Sequence, residues 1–111
     1  VLKSAGTQYY SYTYVSDAVA GLITVLLCGT KGEAYNIADE TSDIMLKDLA
    51  EIIAKASGTK VVFDVPDALE AAGYSTATKA RLDNKKISEL GFRAKYDIEH
   101  GIERTLVIME R

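Results

Sequence analysis

The chain has 111 residues, room for one small domain or part of one. At 48% hydrophobic and 26% charged it carries apolar material for a modest core, which argues against a disordered chain. A net charge of −3, with the 13 Lys and Arg scattered, leaves no basic footprint for nucleic acid, and a single cysteine, Cys28, allows no internal disulfide and fits a reducing, cytoplasmic compartment.

Residues 8–15 alternate, with Tyr10, Tyr12 and Tyr14 on one face and Tyr9, Ser11, Thr13 and Val15 on the other. Aromatic and β-branched residues at that spacing predict a strand, either half-buried with its phenols reaching water or lining a polar pocket. Ser16 and Asp17 read as an N-cap. Val19, Leu22, Ile23, Leu26 and Leu27 then recur as the core stripe of a helix that Gly29 ends. Cys28 falls on its apolar side as an inert core thiol, and Gly21 suits close packing on a neighbour. The apolar run from Ala18 to Cys28 is short of the roughly 20 residues of a membrane span. Residues 1–8 lack the apolar core of a signal peptide, and a start at Val1 without Met suggests either an artificial boundary or a piece cut from a longer polypeptide.

Residues 33–38 are apolar on both faces and predict a strand covered on both sides, of the kind that joins a larger parallel sheet. A polar loop follows over 39–44. The stripe Leu46, Leu49, Ala50, Ile53 and Ala56 predicts a second helix over 46–57, with Asp48 and Glu51 early and Gly58 as its stop. Residues 60–65 predict a strand that Pro66 ends. Residues 67–72 have material for one helical turn, and 73–80 read as a polar loop of functional length. Asp83 or Asn84 caps a short helix running to Leu90, and Asp97 caps a last one whose Ile98, Ile102, Leu106 and Met109 face the core.

The motifs that carry chemistry are absent. One His and one Cys cannot make a metal site, and His100 reads as a solvated helix residue. No Gly-x-Ser-x-Gly elbow accompanies it. Gly29-Thr-Lys-Gly32 is neither a dinucleotide loop nor a Walker loop, and none of the seven tyrosines has a Lys four residues later.

Five segments in order carry a family resemblance: Ser11-Tyr-Thr-Tyr-Val-Ser-Asp17, Gly32-Glu-Ala-Tyr-Asn-Ile-Ala38, Leu49 to Ile53, Asp83-Asn-Lys-Lys with Leu90-Gly-Phe92, and Asp97-Ile-Glu-His-Gly-Ile-Glu-Arg-Thr105. Over residues 6–108 the chain resembles the C-terminal, substrate-binding portion of the NAD-dependent epimerase/dehydratase family, the extended short-chain dehydrogenases that act on nucleotide sugars. The resemblance implies an α/β fold for residues 1–111, with about three short strands and four helices, lacking the Rossmann nucleotide-binding half. It implies a parent enzyme that holds NAD(P) and a Tyr-x-x-x-Lys base elsewhere, so this chain binds no cofactor and has no catalytic residue of its own. The partners implied are a nucleoside diphosphate sugar and the missing N-terminal Rossmann portion.

The substrate-binding residues it implies are Gln8, Tyr10 and Arg81. Tyr10 stands where the family usually has an Arg on the pyrophosphate, and Arg81 lies near a second phosphate-contacting Arg. Tyr donates one hydrogen bond and brings no charge. Asp17 is expected to be a cap, and Asn36 to satisfy backbone near its strand end. Self-association is expected through the open edge at 33–38 or a nearby apolar face. The competing expectation is a non-catalytic, free-standing binding or oligomerisation module.

Overall fold

The computed structural model describes residues 1–74 and 76–110. Its centre is a three-stranded sheet in the order β2-β1-β3. The tyrosine-rich strand β1 (Tyr9–Ser11) lies in the middle, antiparallel to β2 (Asp43–Met45) and parallel to β3 (Lys79–Ala80). Its register sets Tyr9 against Met45 and Lys79, Tyr10 against Ile44 and Ala80, and Ser11 against Asp43. The mixed α/β class is as expected, but the strands are not all the expected ones. The polar loop after residue 38 contains a 3-10 turn (Glu40–Ser42) and then β2, and the polar loop before Arg81 supplies β3.

The two predicted strands that are missing have a common cause. Residues 33–38 run extended, yet among the described residues no hydrogen bond involves the backbone N–H groups of residues 34–38. Their apolar pattern asks for a sheet that these residues do not meet. Residues 60–65 pair with the chain start through one parallel bridge, Leu2 to Phe63. A strand exists only where a partner completes its ladder.

Helix α1 (Val15–Cys28) begins one residue before the expected cap. Its N-cap position is Tyr14, with no side-chain capping bond, and Asp17 is turned inward. Gly21 does what its position suggested: a Cβ there would sit 2.5 Å from Ile37 Cγ2, so only glycine lets the extended segment lie against the helix. The expected core stripe is otherwise exposed. Leu22, Ile23, Leu26 and Leu27 face outward, and Cys28 is exposed rather than a core thiol.

Helix α2 (Leu46–Ser57) has the expected bounds and ends on Gly58 in the left-handed region, φ 68°. Ala54, rather than Ala56, is its buried residue. A single turn, α3 (Ala68–Ala71), is capped by Asp67. The next helix, α4 (Lys85–Ser88), is shorter than expected. There Asp83 Oδ1 accepts from Lys85 N, while the Asn84 amide donates to Ala38 O. Helix α5 (Ile98–Met109) is capped by Asp97 as expected, but Met109 is exposed.

The core is thin. Among the described residues the buried apolar ones are Ala38, Ala54, Ile87 and Phe92. The radius of gyration is 16.4 Å, against about 13 Å for a compact chain of this length. The accessible surface is 7994 Å², where a folded monomer of this mass exposes roughly 6,000 Å². Exposed large apolar residues include Val15, Val19, Leu22, Ile23, Leu26 and Leu27 of α1.

Candidate functional site

The sheet sorts the tyrosines and cations onto two faces. Tyr9, Ser11, Asp43 and Lys79 share one face by register. Arg81, one residue beyond β3, folds onto the same face, its guanidinium 5.2 Å from the centre of the Tyr9 ring. Its Nε donates to Asp43 Oδ2 at 2.9 Å. The other Asp43 oxygen accepts from the Ser11 hydroxyl, whose own oxygen accepts from Leu82 N at 2.8 Å. Ser11 and Asp43 thus staple the segment entering α4 onto the central strand.

The charge balance on this face is decisive. Asp43 holds Arg81 firmly protonated, raising its pKa through the hydrogen bond and then through charge. The same carboxylate neutralises Arg81 locally. The cavity beside it, about 530 Å³, is lined by Glu40, Asp43, Arg81, Leu82, Asp83 and Asn84. Three carboxylates and one cation make it a poor host for an anion on its own. Lys79 is different: it is exposed, and among the described residues it has no ion pair or hydrogen bond through its side chain. It is the uncommitted cation beside the tyrosine strand. Its register opposite Tyr9 was hidden in the sequence, because 73–80 read as loop.

Tyr10 points to the other face. Its hydroxyl donates to Ala77 O at 2.9 Å, and its ring meets Tyr12 edge-on at 6.4 Å. Gln8 is half-buried; its side-chain oxygen accepts from the Ser4 hydroxyl at 3.4 Å and its carbonyl accepts from Leu46 N at 2.9 Å. Tyr10 and Arg81 are therefore separated by the thickness of the sheet. Both hold the segment before α4: Tyr10 through Ala77, Arg81 through Asp43.

A second, apolar cavity of about 440 Å³ opens between α2, α5 and residues 12–14. Tyr12, Tyr14, Tyr96, Ile53, Ile102 and Leu106 are among its walls. Burial pushes the Tyr12 phenol above its ordinary pKa, with Tyr10 adding to the effect. Its shape depends on Asp17. Although 3% exposed, Asp17 accepts from both Lys95 N and Tyr96 N at 3.0 Å. This holds Tyr96 beside Tyr14, ring centres 4.8 Å apart, and Tyr14 lies against Gly101 of α5. Asp17 thus joins the start of α1 to the lead-in of α5, a role no local pattern announces.

The remaining candidates are settled locally. Asn36 donates to Asp83 O at 3.2 Å, satisfying backbone as expected, though of a distant residue. His100 Nδ1 sits 2.7 Å from Asp97 Oδ1 on the exposed face of α5. Among the described residues no group of three or more His, Cys, Asp and Glu is placed to hold a metal, and no helix is long and apolar enough to cross a membrane.

No protein-family model matches the chain. It is 28% identical over 108 residues to the dTDP-D-glucose 4,6-dehydratase of Mus musculus, covering 95% of this chain and 30% of that enzyme. The Homo sapiens enzyme is 28% identical over 107 residues, covering 31% of its length. The chain spans less than a third of these curated relatives. Its fold superposes on the dTDP-glucose 4,6-dehydratase of Bacillus anthracis in complex with NAD with a TM-score of 0.82 over 98% of this chain and 33% of that one, at 20% identity. It also superposes on the Bordetella bronchiseptica enzyme WbmF in complex with NAD+ and UDP, TM-score 0.75 and 26% identity, over 99% of this chain and 31% of that one. The relatives and neighbours include dehydratases and epimerases of the NAD-dependent epimerase/dehydratase family, and the chain is similar to their C-terminal portion.

Proposed function

We propose that this chain is the substrate-binding part of an NAD(P)-dependent nucleotide-sugar epimerase or dehydratase. The observation that carries the reading is an alignment running along 95% of the chain to dTDP-D-glucose 4,6-dehydratases. The extended segment at 33–38, with its unpartnered amides, supports the corollary that an N-terminal Rossmann portion completes the sheet.

In this reading the nucleoside diphosphate sugar lies along the tyrosine strand on the face that carries Tyr9. Gln8 and Tyr10, on the opposite face, act by holding the strand and the segment beside it, Tyr10 through Ala77 O. Lys79 supplies the positive charge that Tyr10 lacks, and Arg81 contributes the outer edge of a guanidinium already paired with Asp43.

The residues present do not fit NAD(P). A pyrophosphate is held where a glycine-rich turn leads a strand into a helix N-terminus. Here β1 enters α1 through Tyr12, Thr13 and Tyr14, with Asp17 in the first turn, and β2 enters α2 directly with Asp48 in its first turn. Both junctions lack glycine and carry a carboxylate. No step of the parent reaction is assigned to this chain.

The test is titration of the 111-residue chain with dTDP-glucose, UDP-glucuronate and UDP-galactose, read by amide NMR. The expected result is saturable shifts on residues 8–12 and 77–81, weakened about tenfold by Lys79→Ala, the loss of one charge-assisted contact. Absence of shifts with every nucleotide sugar at millimolar concentration refutes the reading. Calorimetry with NAD is expected to give no binding heat, and micromolar affinity would overturn the division of labour.

A further inference from the structure

We propose that Asp43 is a specificity-determining residue, which lowers the site's affinity for free nucleoside diphosphates relative to nucleotide sugars. Arg81 is held by one edge only. Its Nε donates to Asp43 Oδ2 at 2.9 Å, and its guanidinium lies 5.2 Å from the centre of the Tyr9 ring. Among the described residues its terminal Nη groups have no partner, and its side chain is 60% exposed. The Nη edge is therefore open to an anion while the Nε edge is committed. The carboxylate on that committed edge is pinned. Its side chain is 11% exposed, its residue sits opposite Ser11 in the sheet, and its Oδ1 accepts from the Ser11 hydroxyl. Ser11 Oγ is fixed in turn by Leu82 N.

On the nucleotide-sugar reading, on which this rests, the diphosphate approaches the face that carries Tyr9, Lys79 and Arg81. A phosphate oxygen bonded to the open Nη edge lies about 5–6 Å from the Asp43 carboxylate, the span of a guanidinium and its two flanking hydrogen bonds. In surroundings close to water, each unit of negative charge at that separation loses about fourfold in affinity to the repulsion. The charge of the ligand's second phosphate then decides how much is lost. In a nucleotide sugar that phosphate is a diester with a single charge. In a free nucleoside diphosphate it is terminal, and a second ionisation near pH 6, about that of a phosphate monoester, adds close to one further charge. Asp43 penalises that extra charge, because Arg81 brings no net positive charge to balance it and Glu40 and Asp83 line the same cavity. A carboxylate that served only to staple the segment before α4 would affect both kinds of ligand alike. A penalty that scales with ligand charge separates the two roles.

The test titrates the 111-residue chain with UDP-galactose and UDP, and with dTDP-glucose and dTDP, at about pH 7.5, where the terminal phosphate is mostly in its doubly charged form. Amide NMR of residues 8–12 and 77–82 reads the dissociation constants. The wild type is expected to bind UDP no more tightly than UDP-galactose. Asp43→Asn keeps the side-chain shape and an oxygen for Arg81. It is expected to tighten UDP-galactose about fourfold and UDP about fifteenfold, moving their ratio about fourfold toward the free diphosphate. The dTDP pair is expected to follow. Glu40→Gln removes an exposed carboxylate that lines the same cavity but is not paired with Arg81, and is expected to leave the ratio in place. Far-UV circular dichroism and the β1–β2 amide resonances report whether each variant is folded; Asp43→Ser, uncharged and smaller, carries the same expectation if the Asn variant is not. A wild type that binds UDP more tightly than UDP-galactose overturns the proposal. So does a ratio unmoved by the Asp43 substitution, or moved as far by Glu40→Gln; each of these leaves the nucleotide-sugar reading standing. Absence of saturable shifts with all four ligands, in wild type and variants alike, overturns that reading and the role of Asp43 together.

Discussion

Replacing Asp17 separates two roles that the sequence confounds. As an N-cap, Asp17 would be exchangeable for Ser at little cost, since both are favoured caps. In the structure its two oxygens each accept a backbone amide, Lys95 N and Tyr96 N, at 3.0 Å in a site 3% exposed. Hydrogen bonds to a charged partner contribute about 1.5–3 kcal/mol each, and a buried amide left alone costs about 1–3 kcal/mol. Asp17→Ala is therefore expected to lose about 3–5 kcal/mol. Asp17→Ser, with one shorter oxygen that reaches at most one amide, is expected to lose about 2 kcal/mol. A domain of this length has about 5–15 kcal/mol in all, and so thin a core belongs near the bottom of that range. Asp17→Ala should then be marginally folded, with Tyr14–Tyr96 packing lost first. Urea unfolding followed by circular dichroism measures the midpoint shift, and tyrosine fluorescence follows the ring pair. An Asp17→Ser variant within about 0.5 kcal/mol of wild type, the range of an inconsequential surface change, would refute the tie and restore the cap.

The cap of α5 has a pH signature. The hydrogen bond from the imidazole to the Asp97 carboxylate, and then that carboxylate's charge, raises the His100 pKa above 6.5, so that contribution is full below 6.5 and fades as pH rises through the raised value. Asp97 is held below 3.8, first by the bond from His100 N and then by the imidazole, so its contribution is present above 3.8 and fades as pH falls through the lowered value. The start of α5 is thus best protected between 3.8 and 6.5. Asp97→Ser keeps a capping oxygen and is expected to return His100 toward 6.5, read by NMR titration of the ring; an unmoved titration would refute the pairing. Gly58 ends α2 at φ 68° with open space around its Cα, so Gly58→Ala meets a conformational penalty of about 1 kcal/mol and no clash. Urea unfolding that shows no destabilisation would mean the helix end rearranges.

The candidate site was half legible. The tyrosine strand announced itself by alternation, and Arg81 by the family resemblance. Neither announced the register that sets Lys79 beside Tyr9, nor the Asp43 carboxylate that occupies Arg81. Both depend on residues more than 30 positions apart meeting across a sheet, and Asp43 lay in a stretch whose polar composition read as loop.

The sequence by itself determined α2 with its Gly58 stop and α5 with its Asp97 cap, because helices close their hydrogen bonds locally and their caps and apolar stripes are short-range signals. It also determined the close approach at Gly21, since a helix interior tolerates glycine at a cost that packing must offset. Only the tertiary structure decided which extended segments are strands, since a ladder needs a partner: residues 43–45 and 79–80 have one in β1, and residues 33–38 do not. It alone decided which way α1 faces. A helix apolar all round does not encode which side is covered, and that depends on Ile37 and on the amides that Asp17 holds.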